Sequence, residues 1–263
     1  MKVRDKRIIV TGAGSGIGKE LTIQLLSKGA YVIALDINEI NLNKLKEETN
    51  NNEHLSIYVV NVASEESLNN FKKEYYKDHS VVDGLINNAG IIQPFVHFEK
   101  LDMETINRVM DINFYGPLKL TKLFLPDLLN RDEAHIINIS SMGGFFPFPG
   151  QTVYGASKAA IKLFTEGLYS ELLDTNVHVT VVFPGAIATN IAINSNIQVK
   201  QDEKSSKFKM LPASKAAKII INGIEKNKFK LYVGTDSKIM NFMYKMNSKK
   251  AIKLINKKMK NML

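Results

Sequence analysis

The chain has 263 residues with 35 basic and 26 acidic side chains, a formal net charge of +9 at pH 7, and no cysteine. This length is enough for one large domain with a buried sheet, and the lack of cysteine excludes a disulfide framework. We find no signal-peptide pattern and no apolar run near the ~20 residues of a membrane span, so we expect a cytoplasmic protein.

Seven strand-like runs alternate with helical stretches along the chain. The runs lie near residues 7–11, 31–35, 56–60, 83–87, 134–139, 177–183 and 229–233. Strands that alternate with helices are typical of an α/β fold with a doubly wound parallel sheet. The five histidines are scattered, and without cysteine they predict no zinc site.

The first run leads directly into a glycine-rich turn at residues 11–18, and a helical pattern follows. This order is the context that a dinucleotide-binding fingerprint requires. Gly12 would allow the tight turn, Gly16 would let the backbone approach a pyrophosphate, and Gly18 would let the helix pack closely. The N-terminus of the helix would present free N–H groups to the phosphates. The candidate cofactor-binding residues of this turn are Thr11, Gly12, Gly14, Ser15, Gly16, Ile17 and Gly18.

Asp36 ends the second run, eighteen residues after Gly18. A carboxylate at this place hydrogen-bonds the adenosine ribose hydroxyls and repels a 2′-phosphate. Neither Ile37 nor Asn38 is basic, and the glycine turn contains no Lys or Arg. The pattern therefore predicts NAD, with NADP as the alternative cofactor. A plain turn or helix-cap aspartate is the other interpretation of this residue.

Tyr154 and Lys158 are four residues apart, a spacing that puts them on one face of a helix. A nearby ammonium favours the ionised phenol, which otherwise loses its proton only near pH 10. The same spacing is common on any amphipathic helix, so the glycine turn is what favours a catalytic interpretation. Ser141 lies thirteen residues before the tyrosine, next to a second serine, Ser140.

Together these motifs resemble the short-chain dehydrogenase/reductase superfamily, in its shorter single-domain branch. The resemblance rests on Thr-Gly-x-x-x-Gly-x-Gly at 11–18, Asn-Asn-Ala-Gly at 87–90, Asn113, Ser141, Tyr-x-x-x-Lys at 154–158 and Pro-Gly at 184–185. It implies a Rossmann-like sheet of seven parallel strands, with cofactor and substrate meeting at their carboxyl ends. It also implies a homodimer or homotetramer built around the helix that bears Tyr154.

The resemblance implies a role for each of four catalytic residues. Tyr154 would exchange a proton with the substrate oxygen, and Ser141 would orient that oxygen. Lys158 would lower the pKa of the phenol and hold the nicotinamide ribose. Asn113 would anchor a water that links Lys158 to solvent. Only Ser141 has the thirteen-residue interval before the tyrosine that is usual in the family. Ser140 should therefore face away from the site, because neighbouring strand residues point to opposite faces.

The resemblance implies further cofactor contacts. Asn88 and Gly90 would line the adenosine side, and Thr189 would contact the nicotinamide carboxamide. Asn61 stands where the family commonly has an aspartate that accepts a bond from adenine, and its carbonyl can still accept that bond. The implied cofactor-binding residues beyond the glycine turn and Asp36 are Asn61, Val62, Asn88, Ala89, Gly90, Tyr154, Lys158, Pro184, Gly185 and Thr189.

The expected reaction is hydride transfer between a nicotinamide cofactor and a secondary alcohol or ketone. Apolar side chains flank the expected site and favour an apolar, lipid-like substrate; they are Phe145, Phe146, Phe148, Phe183 and Ile193. The alternative is a non-catalytic protein of the same fold that senses the cofactor or associates with a membrane. An intact set of four catalytic residues favours the enzyme.

The last quarter of the chain is strongly basic. Residues 200–263 hold 17 lysines and four acids, a net charge of +13, so residues 1–199 carry −4. We divide the chain into a cofactor-binding domain, 1–236, with a substrate loop at 190–211, and a basic helical extension, 237–263. In the extension Ile252, Ile255, Met259 and Met262 form one helical stripe opposite several lysines. The helix would pack on its own protein, cover a pocket or a subunit, or touch an anionic membrane peripherally; no nucleic-acid module accompanies the charge.

Overall fold

In the computed structural model, which describes residues 1–195, 197 and 210–259, a seven-stranded parallel sheet lies at the centre. Its strands, in spatial order, are β3 (Leu55–Val59), β2 (Tyr31–Asp36), β1 (Arg7–Thr11), β4 (Gly84–Asn87), β5 (Ala134–Ile139), β6 (Val177–Pro184) and β9 (Lys230–Val233). A separate parallel pair joins β7 (Ile187–Ala188) to β8 (Leu211–Pro212). The predicted doubly wound parallel sheet is confirmed, and all seven predicted strands are present.

Helices cover both faces of this sheet. They are α1 (Gly16–Ser27), α2 (Glu39–Glu48), α3 (Glu65–Asp78), α4 (Met103–Met110), α5 (Gly116–Leu129), α6 (Thr152–Glu171), α7 (Ile191–Asn194), α8 (Ala213–Ile224), α9 (Thr235–Met246) and α10 (Ser248–Met259). A π-helical turn, Asp111–Tyr115, joins α4 to α5. None of the described helices is long and apolar enough to span a membrane.

The side chains of the central strands divide between two apolar cores. Ile8 and Val10 of β1 point into one core, with α1 and α8, whereas Ile9 points into the other, with α3, α5 and α6. This is the period-two alternation of a strand, here with both faces buried, as is usual for parallel strands. The strand order reverses between β1 and β4, which creates a crevice at their carboxyl ends.

The C-terminal helices pack on the same domain. Ala251 and Ile255 of α10 are buried against Phe146, which is only 1% exposed. Phe148 and part of α9 join this cluster. Phe145, Phe146 and Phe148, which we expected around the substrate, therefore belong to a core beneath α9 and α10. Phe183 is also buried and stacks on Tyr232, whereas Ile193 is 72% exposed. These aromatic side chains therefore give no support to an apolar substrate site.

The predicted apolar stripe of the tail is only partly correct. Ile255 is buried and Met259 is partly buried, but Ile252 is 37% exposed because Ala251 takes the inward position. The proposed domain boundary after residue 236 falls inside α9. Met262, residues 260–263 as a whole, and most of the segment 190–211 that we interpret as a substrate loop lie outside the described residues.

We expect the inward face of α10 to contribute to the stability of the whole domain. Ile255→Ala should lower the free energy of unfolding by about 2 kcal/mol, because it opens a cavity against Phe146. Leu254→Ala, at a neighbouring side chain that is 43% exposed, is the matched control and should cost less than about 0.5 kcal/mol. Urea unfolding measures both; equal effects would show that α10 does not pack as described.

Candidate active site

The glycine turn after β1 is built by close backbone contacts. Gly12 has a positive φ of 65°, in the region that glycine favours. A Cβ on Gly18 would lie 2.1 Å from the carbonyl oxygen of Gly12, so no larger residue fits there. Helix α1 begins within this motif, at Gly16, and the side chain of its N-cap residue, Ser15, makes no capping bond to it. The first turn of α1 is thus a suitable anion site at the crevice.

The hydroxyl of Thr11 joins the carboxyl ends of β1 and β4. Its Oγ1 accepts hydrogen bonds from the backbone N–H of Asn88 and of Ala89, both at 2.9 Å. The side-chain amide of Asn88 donates to the carbonyl oxygen of Thr11 at 2.9 Å. Asn88 therefore holds the glycine turn in place, rather than only lining the adenosine side as we expected.

Asp36 lies beside the glycine turn at the end of β2. Its Oδ2 accepts from the backbone N–H of Gly14 at 2.8 Å, and its Oδ1 accepts from Asn38 N–H at 2.9 Å. Helix α2 is capped by Asn38, whose side chain accepts from Asn41 N–H. Asp36 is therefore not the helix cap, and each carboxylate oxygen retains a lone pair that could accept from a ribose hydroxyl.

Asn61 and Val62 lie farther along the same edge of the crevice. The side-chain oxygen of Asn61 accepts from Ala63 N–H at 3.0 Å, in a local turn. Its second lone pair is the one that remains for an adenine amino group. Val62 is buried, and a Cβ on Gly116 would lie 3.2 Å from its Cβ, so its side chain packs on the start of α5.

Ser141 and Tyr154 face the same small space. A Cβ on Gly143 would lie 3.3 Å from Cε1 of Tyr154 and 3.4 Å from Oγ of Ser141. The Ser141 hydroxyl accepts from Gly143 N–H at 3.0 Å. Ser140 has a different partner, since its hydroxyl donates to the backbone carbonyl of Lys158 at 2.7 Å. The two adjacent serines thus point to different neighbours, as the alternation along a strand predicts.

Lys158 and Asn113 converge on Gly90. A Cβ on Gly90 would lie 3.1 Å from the Lys158 ammonium nitrogen and 3.2 Å from Oδ1 of Asn113. Lys158 is 4% exposed, and its Nζ donates to the carbonyl oxygen of Ile139 at 3.0 Å. Gly90 therefore lies beside two of the candidate catalytic residues, rather than on the adenosine side where we expected it.

Asn113 is fixed within the π-helical turn and is completely buried. Its amide nitrogen donates to Ile91 O at 2.9 Å and to Ser157 Oγ at 3.0 Å, and its Oδ1 accepts from Ile91 N–H at 2.9 Å. Both amide hydrogens of Asn113 are already used in these bonds. A water held by Asn113 would therefore donate a hydrogen bond to an oxygen atom of this residue. Such single π turns are frequent at functional sites.

Burial changes the pKa values of Lys158 and Tyr154, the candidate catalytic pair. It lowers the pKa of Lys158 to about 8, because the ammonium has lost most of its water. Burial raises the pKa of Tyr154, and the Ser141 hydroxyl partly offsets this effect. The surroundings of the phenol thus act against the lowering that we expected from Lys158, and they favour the neutral phenol at pH 7.

The segment after β6 lies against the glycine turn. A Cβ on Gly16 would lie 3.2 Å from the Thr189 side chain, so Thr189 faces the glycine turn. Asn194 of α7 donates through its amide to the Ser15 hydroxyl at 2.8 Å. Two motifs that are far apart in the sequence, residues 11–18 and 184–189, are thereby brought together.

Asp236 is a site residue that the sequence analysis missed. Its Oδ2 accepts from Ala186 N–H at 2.6 Å, and a Cβ on Gly185 would lie 2.1 Å from its Oδ1. The neighbouring Ser237 hydroxyl donates to the carbonyl oxygen of Phe183 at 2.8 Å. Helix α9 therefore holds residues 184–186 in place. The sequence signal for this role was an acidic residue shortly after the last strand, but we had placed Asp236 at the end of the domain.

Comparison with known proteins agrees with this geometry. The family model described as short chain dehydrogenase matches residues 6–200. The protein SadH of Mycobacterium tuberculosis is 32% identical over 250 residues, which cover 90% of this chain and 89% of that protein. The 3-oxoacyl-[acyl-carrier-protein] reductase FabG of Thermotoga maritima is 34% identical over 190 residues, covering 72% and 77%.

Solved structures show the same fold. A short-chain dehydrogenase/reductase of Burkholderia phymatum in complex with NAD has a TM-score of 0.81 at 21% identity, covering 88% of this chain and 90% of that one. A short-chain dehydrogenase of Burkholderia cenocepacia in complex with NADP also reaches 0.81, at 24% identity, covering 97% and 99%. This chain therefore belongs to the short-chain dehydrogenase/reductase family of NAD(P)-dependent oxidoreductases.

Proposed function

We propose that the protein transfers hydride reversibly between NAD and a secondary alcohol or ketone. The observation that carries this proposal is the convergence of Ser141 and Tyr154 on one space, next to the buried pair Lys158 and Asn113. A hydroxyl pair beside a buried ammonium suits a carbonyl or alcohol oxygen, which must gain or lose a proton as the carbon changes oxidation state.

The residues of the chain divide the chemistry among them. Bound nicotinamide would supply the hydride donor or acceptor. The neutral phenol of Tyr154 can give its proton to a ketone oxygen, and the phenolate can take it back from the alcohol. Ser141 would hold the same oxygen by a hydrogen bond. The positive charge of Lys158 would stabilise the phenolate against the opposing effect of burial.

The residues of the crevice suit a dinucleotide. The cradle at Gly12 and Gly18 admits no Cβ, and the open N-terminus of α1 attracts phosphate. Asp36 beside Gly14 supports NAD over NADP, since its carboxylate would repel a 2′-phosphate. Ile37, the next residue, is 67% exposed and brings no positive charge to offset that repulsion.

The substrate class is a finer proposal. One relative is named as a 3-oxoacyl reductase, which supports a ketone. The aromatic cluster no longer supports an apolar substrate, because Phe146 and Phe183 are core residues. We retain a lipid-like alcohol or ketone for a different reason, an exposed apolar stripe on α9 that would bring the enzyme to membrane-dissolved substrates.

We propose that this stripe contacts an anionic membrane peripherally. Ile239, Phe242 and Met246 lie on one face of α9 and are 52, 65 and 72% exposed. Residues 235–259 carry seven lysines and a single acid, Asp236. Exposed apolar side chains among lysines are typical of helices that lie on anionic lipid. Two copies of so basic a segment would repel each other, which disfavours a self-association surface here.

The expected homodimer or homotetramer stays a prediction. Leu163 of α6, which bears Tyr154, is 68% exposed, and Leu173 just beyond it is 60% exposed. Both would be covered if two α6 helices packed together, which supports an assembly around this helix.

The role of Tyr154 can be tested by removing one oxygen atom. Tyr154→Phe should lower kcat for a secondary alcohol or ketone by about 10²-fold or more, because the proton donor is lost. NADH binding, measured by fluorescence titration, should stay within about twofold. Tyr115→Phe, at a tyrosine that is 44% exposed, is the control and should retain its rate. A Tyr154→Phe variant with near-normal turnover would contradict the proposal.

The cofactor preference depends on the charge of Asp36. We expect wild-type protein to bind NADH at least about tenfold more tightly than NADPH, as one charge repulsion allows. Asp36→Asn keeps an acceptor for Gly14 N–H but removes the charge, so the ratio of the two dissociation constants should fall towards one. The ratio is insensitive to a general loss of folded protein. Equal or tighter NADPH binding by the wild type would refute the assignment.

Membrane contact can be tested by flotation with vesicles of phosphatidylserine and phosphatidylcholine. Wild-type protein should float with the mixed vesicles, less so in high salt and not with phosphatidylcholine alone. A triple change, Ile239→Ser, Phe242→Ser and Met246→Ser, should abolish flotation, whereas the control Leu163→Ser should not.

Point changes are preferable to deletion of the tail, because α10 contributes to the core. Absence of flotation by the wild type, or equal flotation by the triple variant, would remove the membrane proposal. It would leave the hydride-transfer proposal intact.

A further inference from the structure

We propose that Gln93 is a positioning residue that sets the place of Tyr154 by capping the catalytic helix α6. This inference rests on the proposed function of Tyr154. Gln93 lies three residues after Gly90 and is completely buried. A buried carboxamide must satisfy its donors and acceptor within the protein, and here it does so at the start of α6.

The contacts of Gln93 are with the first turn of the helix. Its side-chain oxygen accepts from the backbone N–H of Val153 at 2.8 Å and of Tyr154 at 2.9 Å. Its amide donates to the carbonyl oxygen of Gly150 at 3.0 Å. The first N–H groups of a helix have no partner within the helix, and a local N-cap side chain usually supplies one.

At α6 that local cap is missing. The N-cap residue is Gln151, and its side chain makes no capping bond. The amide of Gln151 instead donates to the backbone carbonyl of Gln93 at 2.8 Å. Gln151 is therefore bonded to the backbone of Gln93, and only the side chain of Gln93 reaches the N–H groups of α6.

Gln93 connects this helix to the cofactor side of the crevice. The segment that carries Gln93 begins at Gly90, which lies next to Lys158 and Asn113. It continues through Ile91, whose backbone N–H and C=O are both bonded to the Asn113 side chain. The segment is thus held rigidly before it reaches α6. Because the Tyr154 N–H is itself one of the capped groups, the cap fixes the tyrosine relative to Ser141 and the nicotinamide-side residues.

Loss of the Gln93 cap should affect the rate of catalysis more than the stability of the fold. Loss of a helix cap typically removes only a small part of the free energy of unfolding. A displacement of about 1 Å at a reacting group can cost on the order of 10²-fold in rate. A residue that merely stabilised the fold would change the unfolding midpoint without this loss in kcat.

The test compares Gln93→Met with Gln151→Met. Both remove a buried amide of the same pair and keep the side-chain length, but only the first frees the N–H groups of Val153 and Tyr154. We expect Gln93→Met to lower kcat about tenfold or more, with the dissociation constant for NADH within about twofold. Gln151→Met should keep most of its kcat. Gln93→Glu retains an acceptor for the two N–H groups and should restore most of the rate.

Amide hydrogen exchange gives a readout that needs no substrate. The N–H groups of Val153 and Tyr154 should exchange about tenfold faster in Gln93→Met than in the wild type or in Gln151→Met. Unchanged exchange would overturn the inference, whatever the activity. Faster exchange with unaltered kcat in an active enzyme would overturn the positioning role. A wild type that binds NADH and turns over no alcohol or ketone would instead refute the proposed function, and the exchange data would still decide the cap.

Discussion

The bond network at Thr11 is the constraint on which the site depends. One hydroxyl accepts from two successive N–H groups after β4 and so joins that turn to the glycine turn after β1. The strand order reverses at this point, and a reversal of this kind opens the crevice in which open parallel sheets generally bind ligands. From this junction the chain leads to the dinucleotide cradle on one side. On the other it leads to Gly90, where Lys158 and Asn113 meet.

The candidate catalytic residues are positioned by polar contacts that are themselves buried. Lys158 is anchored through its ammonium on Ile139 and through its backbone carbonyl on Ser140, so β5 and α6 are fixed to each other at the active site. The same burial lowers the pKa of Lys158 to about 8 and raises that of Tyr154. Burial thus moves the two pKa values apart from their similar ordinary values and disfavours the charged form of each group. In our proposal Gln93 adds the third anchor, at the N-terminus of α6.

The C-terminal helices connect the site to the surface. Asp236 and Ser237 hold the turn after β6, while Ile255 closes the aromatic core around Phe146. The described part of the basic tail, residues 237–259, therefore packs on the sheet domain, and its lysines are exposed. This arrangement separates two functions of one segment: the inward face stabilises the Pro184–Ala186 turn, and the outward face of α9 is free for the membrane contact that we propose.

The sequence by itself determined the seven strands, their alternation with helices and the glycine turn, because strand periodicity and the demand for glycine at Gly12 and Gly18 are local properties. It also placed Tyr154 and Lys158 together through their spacing on one helix, and the family resemblance added Ser141. Only the tertiary structure decided that Phe146 is core, that Gly90 lies beside Lys158 and Asn113, that Asp236 bonds the segment after β6, and that Gln93 bonds the first turn of α6. Each of these depends on a partner between 22 and 109 residues away, such as Asn113 for Ile91, the residue after Gly90, and Ile255 for Phe146. No local pattern encodes which distant side chain will fill a given space.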